Sequence, residues 1–448
     1  MTLATAPGYD ADRVTARGDH AVVVGAGVAG LLAARVLADA FDAVTVLERD
    51  PPPAGPVARR GVPQARHIHV MLEAGRATLE ALFPGYCRDL LDAGGLELDG
   101  ARDVRFYAEG GFLADGPRCR PQYAATRPLY EWLLRRRVVA LDGVRIRSGC
   151  HVTDYRTDGR AVTGVVLRTE TGTERLDADL TVDASGRASR TPAWLADSGY
   201  APPAVDEVRI DLAYSTALVR RPSADRRAFV VTPDPSCPRA ASVLPVEGNR
   251  WIVTVGGVHG DRPPTDPAGV VAFAAGLPIP HVRRVLETRE WVDEDVAHYP
   301  FPTNRRHRYE CLDRLPAGLL VVGDAVASFN PLYAQGMSVA ALEARHLHDA
   351  LATTDRPLAP AVARRVGGVV DTAWLLAVGA DCRFPETTGP RPRGAALVNR
   401  YLSRLTRRAH ADGVLREALF RVLSMERPPT TLVHPRLAWR VLAPAGRP

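Results

Sequence analysis

The chain contains no lysine: all 57 basic residues are arginine. No step that needs a lysine amine, as Schiff base or as nucleophile, can therefore operate here. Cysteine is sparse, and the six residues lie far apart with no C-x-x-C pair and no metal-like spacing. That excludes a disulfide framework and predicts a reduced, cytoplasmic protein. No uninterrupted apolar run approaches the roughly 18 residues of a membrane span. The segment from Met1 to His20 is polar with no apolar core and does not read as a secretory signal. G-x-S-x-G is absent, and no Ser–His–Asp arrangement stands out. Internal repeats and low-complexity linkers are missing too, so any domains are expected to be interleaved in sequence.

What is present is ordinary globular composition, 46% hydrophobic and 24% charged over 448 residues, enough for two or three domains around a shared core. The net charge of +6 suits anionic cofactors. The arginines are scattered, with short clusters only at Arg135–Arg137, Arg305–Arg308 and Arg407–Arg408. These read as solvated surface, and without a binding motif no nucleic-acid partner is expected.

Ala21–Val24 is a short apolar run that breaks at Gly25. Apolar residues then recur at helical spacing from Val28 to Phe41, and a β-rich run, Ala43–Leu47, ends on Glu48. Strand, turn, helix and strand make one βαβ unit. Helical patterns cover Ala74–Leu82 and Leu129–Ala140, and strand-like runs cover Val162–Thr169 and Leu176–Asp183. Arg209–Val258 alternates as an antiparallel sheet would. Leu319–Val322 reads as a buried parallel strand followed by a helix from about Gly336 to Leu351. The remainder is mostly helical with a proline-rich end.

The turn of the βαβ unit is G-x-G-x-x-G at Gly25, Gly27 and Gly30. Gly25 permits the tight turn, Gly27 lets backbone approach a pyrophosphate, and Gly30 lets the helix pack closely. Glu48, about 20 residues on, can accept from ribose hydroxyls and disfavours a 2′-phosphate, so the nucleotide is FAD or NAD. Near the other end, Gly323-Asp324-Ala325 follows the apolar strand, with Pro331 and Gln335-Gly336-Met337 beyond it.

This pairing resembles the FAD-dependent monooxygenases related to para-hydroxybenzoate hydroxylase. The resemblance implies that Asp324, after Gly323, binds the ribityl chain. It also implies that the helix opened by Gly336 and Met337, beyond Pro331, points its N-terminus at the N1–C2=O edge of the flavin, where reduction places negative charge. Asp183-Ala-Ser-Gly186-Arg187 resembles the family's D-G segment with an insertion, implying contacts near FAD and a transient nicotinamide nucleotide. Arg127 matches an arginine that reaches the FAD phosphates, and Arg49 would lie along the adenine. Gly61–His69, with the tail Arg427-Pro-Pro and His434-Pro435, is similar to a bacterial subgroup of polyether-pathway epoxidases of the monensin and lasalocid type. In the wider family the segment after Glu48 runs under the flavin ring, which makes Gln64, His67 and His69 candidates for the ring environment and Gln64 and His67 candidates for catalysis. Alternatively, His67 and His69 share one strand face and serve structure. No third ligand stands near them, so no metal is expected.

The expected fold is α/β: a Rossmann-like FAD domain (18–200 and 296–358), an antiparallel-sheet substrate domain (201–295) and a C-terminal helical region (359–448). With one dinucleotide fingerprint, NADPH or NADH would dock transiently as co-substrate. The resemblance implies oxygen transfer from a flavin C4a-hydroperoxide to an apolar small molecule, with O2 as the other substrate. With no assignable base, alkene epoxidation of a polyketide or terpenoid intermediate is favoured over phenol hydroxylation. A prenyl-chain reductase and a non-redox FAD-containing cyclase are the alternatives. Flavin halogenases share the fold but resemble proteins with an active-site lysine and a W-x-W-x-I-P segment, both missing here. The sequence leaves the oligomeric state open.

Overall fold

The computed structural model describes residues 1–354 and 357–443, so residues 444–448 of the proline-rich end lie outside it. Five parallel strands form the first sheet, in the order Leu319–Val321, Leu180–Asp183, Gly18–Val24, Phe41–Leu47, Val144–Arg147. Their central residues, such as Val22, Val23, Val46 and Val182, are fully buried, as near-continuous apolar runs covered on both faces must be. The helix Val28–Leu37 packs against the long helix Gly336–Thr353, which also meets Glu73–Leu82 and Leu358–Asp381. These faces share one apolar core.

The run Leu176–Asp183, expected as one strand, is split between two sheets. Gly172–Asp177 joins Val162–Thr169 and His151–Thr157 in a three-stranded antiparallel sheet, while Leu180–Asp183 enters the parallel sheet. Asp179 pins the crossing, because its Oδ2 accepts the N–H groups of Asp19 (2.8 Å) and His20 (2.9 Å).

The other large sheet has eight strands and is wider than residues 201–295. Its centre is Val205–Arg220, Arg250–Gly257 and Arg239–Val246. On one side it takes Ala297–His307 and Ala327–Ser328. On the other, Ala228–Val231 pairs in parallel with Val104–Ala108, so the sheet is mixed rather than purely antiparallel. Helices Pro267–Ala274 and His281–Thr288 cover one face through Phe273, Val282 and Leu286 packed on Val253 and Val255. The helices Ala395–Arg408 and Gly413–Leu423 fold back onto the Val104–Leu113 hairpin. There Glu109 accepts from Arg383, Ser403 and Arg407, and Arg416 reaches the carbonyls of Gly100 and Val104. Among the described residues, no helix is long and apolar enough to cross a membrane.

Candidate active site

The glycine turn is built by three different constraints. Gly25 has φ +102°, and a Cβ there would lie 2.5 Å from the Ala184 carbonyl oxygen. A Cβ on Gly30 would come within 1.9 Å of the Gly25 carbonyl, so the close packing is between helix and turn. Gly27 differs: no atom lies within 4 Å of the position its Cβ would take. The space before Gly27 belongs to a cavity of about 870 Å³, and the free N–H groups of the Val28–Leu37 helix open beside it.

Glu48 also lines this cavity. Its Oε2 accepts the Ala26 N–H (3.1 Å) and pairs with Arg59 (2.8 Å), while Oε1 accepts the Asp50 N–H (3.1 Å). A carboxylate has about four acceptor sites, so one remains on Oε1 for a ligand hydroxyl. Arg59, which sequence reasoning missed, is buried and also pairs with Asp50 (3.2 Å) and Glu131 (2.5 Å). Arg59 and Arg135 both donate to the Ala26 carbonyl (3.3 Å each), which fixes the peptide that leads into Gly27. Arg135 is therefore buried machinery of the turn and not solvated surface. Arg306 is likewise buried, paired with Glu310 and Asp371. Nothing in a local arginine run distinguishes these from exposed neighbours.

Arg127 opens its helix behind Thr126, whose hydroxyl accepts the Leu129 N–H and donates to Glu247. The guanidinium lines the cavity, bonds Glu131 through Nη2 (3.1 Å), and leaves a buried Nε without a partner. Opposite, Gly323 has φ +67° and donates its N–H to Glu343 (2.6 Å), another residue the sequence did not disclose. Burial pushes the Glu343 carboxyl up to about 8, so it is largely protonated at neutral pH. Asp324 projects into the cavity, where its side chain is open, although the cleft itself is set deep among the surrounding elements. Burial raises its pKa, and the charges of Arg127 and Arg187 pull it back. Asp324 makes no hydrogen bond to the described residues. Pro331, Gly336 and Met337 continue this wall, and Ala334 turns the chain at φ 53°, a strained conformation for a residue with a side chain.

The mixed sheet contributes the aromatic wall of Tyr214, Tyr299 and Phe301, with the two tyrosine rings 5.7 Å apart. Arg187 lies 4.9 Å above Phe301 and donates to Ser328 (2.6 Å) and Thr303 (2.9 Å). Asp183 is not part of the cavity wall. Its carboxylate is consumed by the hydroxyls of Ser185, Ser189 and Thr191, each at 2.5 Å, and so shapes the loop that carries Arg187. The histidines share no strand face either, because Pro63–Arg66 is a 3-10 turn and His67–His69 is irregular. His67 is buried one layer behind the wall, bonded to Thr216 (2.8 Å) and edge-on to Tyr214 at 4.5 Å. Burial lowers its pKa to about 3, which keeps it neutral. Gln64, His69 and Arg49 do line the cavity.

These residues fit FAD. The approach at Gly27 is open, Arg127 Nε is buried and unpartnered, Asp324 is an unused acceptor, and the volume lies within the roughly 300–1,000 Å³ of small-molecule sites. Residues 19–359 match the family described as an FAD binding domain, and the chain belongs to that family of flavin-dependent monooxygenases. It is 35% identical over 425 residues to Protein Rv3254 of Mycobacterium tuberculosis, covering 91% of this chain and 90% of that one. Among solved structures it is similar in fold to the p-nitrophenol 4-monooxygenase PnpA of Pseudomonas putida, with TM-score 0.61 and 18% identity over 92% of this chain and 100% of the other. The flavin-dependent brominase Bmp2 gives TM-score 0.61 at 17% identity over 93% and 97%. The Diels-Alderase PyrE3 gives 0.60 at 20% over 91% and 80%.

Asp324→Ala should weaken FAD binding about 10- to 100-fold by deleting an acceptor worth about 1–3 kcal/mol, with the fold intact. Titration of apoprotein with FAD checks this. Insoluble protein at saturating FAD would make Asp324 structural instead.

Proposed function

We propose that the protein is a monooxygenase that draws electrons from NADPH or NADH and transfers one atom of O2 to an apolar natural-product intermediate, most fittingly by epoxidising an alkene. FAD, when bound, supplies the redox and oxygen-transfer chemistry. Gly25, Gly27, Glu48 and Arg127 would hold its nucleotide and phosphates, with Arg49 along the adenine. Asp324 would hold the ribityl chain, and Gly323, Pro331, Gly336 and Met337 the ring.

The observation that carries this reading is the mixed-sheet wall. Tyr214, Tyr299 and Phe301 stand there with Arg305 and Ser328, and no carboxylate from that sheet faces the cavity. Such a wall seats an apolar substrate and keeps water off it, and an alkene needs no deprotonation.

His69 supports a second reading, aromatic hydroxylation. Its Nδ1–H donates to the His67 carbonyl (3.1 Å), which leaves Nε2 as an acceptor that a phenol could use. Burial holds its pKa at about 3, with Arg127 adding to the effect, so it is a weak base. A cyclase of the Diels-Alderase kind or a prenyl-chain reductase would use the same fold without O2.

The test is incubation with FAD, NADPH or NADH, 18O2 and candidate polyene or phenolic intermediates, with products read by mass spectrometry. One O2-derived oxygen as an epoxide, diol or ether is expected. Its rate should be flat with pH up to the phenol range at about pH 10. A phenolic product formed with steep pH dependence would establish the hydroxylase, and turnover without oxygen would overturn both.

A further inference from the structure

Asp381, the last residue of the Leu358–Asp381 helix, is 1% exposed and far in sequence from every motif of the site. Its Oδ1 accepts from Asn330 Nδ2 (2.8 Å) and the Tyr333 hydroxyl (2.8 Å), and its Oδ2 accepts from Asn304 Nδ2 (2.7 Å). The amide orientations follow from the backbone. Asn304 Oδ1 must face the Asn330 N–H (2.6 Å), and Asn330 Oδ1 the Leu332 N–H (3.0 Å), so both NH2 groups turn to Asp381. Every side-chain partner is thus a donor. A carboxylate satisfies them all; a carboxamide has only one acceptor oxygen.

The network joins the mixed-sheet strand, the C-terminal helix and the Asn330–Gln335 segment. That segment lines the cavity through Asn330, Pro331, Ala334 and Gln335. Its own backbone bonds are short-range, Tyr333 N–H to Asn330 (3.3 Å) and Ala334 N–H to Pro331 (3.0 Å), and Ala334 is left-handed. A turn with so few bonds of its own takes its shape from what grips it.

We propose that Asp381 is a positioning residue, which sets the cavity-facing conformation of Asn330–Gln335 through Asn304, Asn330 and Tyr333. The C-terminal helical region is then part of the site's construction. The consequence for bound FAD rests on the function proposed above, whereas the positioning itself does not.

Hydrogen exchange on the FAD-free protein tests it directly. In Asp381→Asn, the amides of Leu332, Tyr333 and Ala334 should exchange at least about tenfold faster, with those of Val28–Leu37 and Arg250–Gly257 unchanged. Tyr333→Phe, which deletes one donor and tests the idea even if Asp381→Asn fails to fold, should accelerate the same amides by about three- to tenfold. The exchanged pair Asp381→Asn with Asn330→Asp restores one acid–amide contact and should recover part of the protection. With FAD added, the visible circular dichroism of the flavin should change in Asp381→Asn. Unchanged exchange at 332–334 in Tyr333→Phe would overturn the proposal, as would acceleration spread evenly over the protein in either variant. A wild-type protein that bound no FAD would sink the proposed function and leave the exchange result standing.

Discussion

Gly27→Val protein should fold normally and purify without flavin. Gly27 has φ −77°, a conformation open to any residue, and nothing lies within 4 Å of the position its Cβ would take. The added side chain therefore meets no protein. It fills only the space in front of the helix N-terminus, where backbone must approach a pyrophosphate. Wild-type protein should release FAD on denaturation, whereas the variant should show native circular dichroism and no visible flavin absorbance. Full flavin content in the variant would remove the cofactor assignment. Gly25 and Gly30 do not allow so clean a test, because side chains there collide with the Ala184 and Gly25 carbonyls and would damage the turn itself.

Arg59→Met should cost about 3–5 kcal/mol of stability, the usual penalty for removing one partner from a buried ionic group. Arg59 is the common cation of Glu48, Asp50 and Glu131, all buried. Burial alone would raise the Glu131 carboxyl; Arg127 and Arg59 outweigh it and hold it below its ordinary 4.5. A depressed carboxyl adds stability above its ordinary value and loses it as pH falls through the folded value. The gap between wild type and variant should accordingly be widest at neutral pH and shrink in acid. Denaturant unfolding at several pH values measures it, and Glu131→Gln in the Arg59→Met background should recover part of the loss. A variant as stable as wild type at neutral pH would show that these carboxylates do not depend on Arg59.

The local half of the site was legible in the sequence. Gly25, Gly27, Gly30 and Glu48 follow from turn geometry and strand periodicity, and Gly323, Asp324 and Gly336 occupy a second strand end that opens a helix. The glycine turn and its carboxylate involve neighbours in the chain, so spacing reveals them, whereas the roles of Gly323, Asp324 and Gly336 were implied by the family resemblance. His67 and Asp183 show the limit, because burial and partners decide a polar side chain's role. His67 lies behind Tyr214, and Asp183 is spent on three hydroxyls within eight residues of itself.

Arg59, Glu343 and Asp381 carry no local signal. Arg59 matters because a proline-rich loop brings it beneath the glycine turn. Glu343 matters because one face of the Gly336–Thr353 helix meets the Gly323 N–H. Asp381 matters because the mixed sheet, the late loop and a distant helix converge on it. Local order along the chain is enough to specify the βαβ glycine turn and a second strand-to-helix turn. Which charges are buried together, and which sheet closes the cavity, was decided only in the tertiary structure. Pairing between residues tens of positions apart leaves no periodicity, and a carboxylate's cost or benefit depends on the donors that folding brings to it.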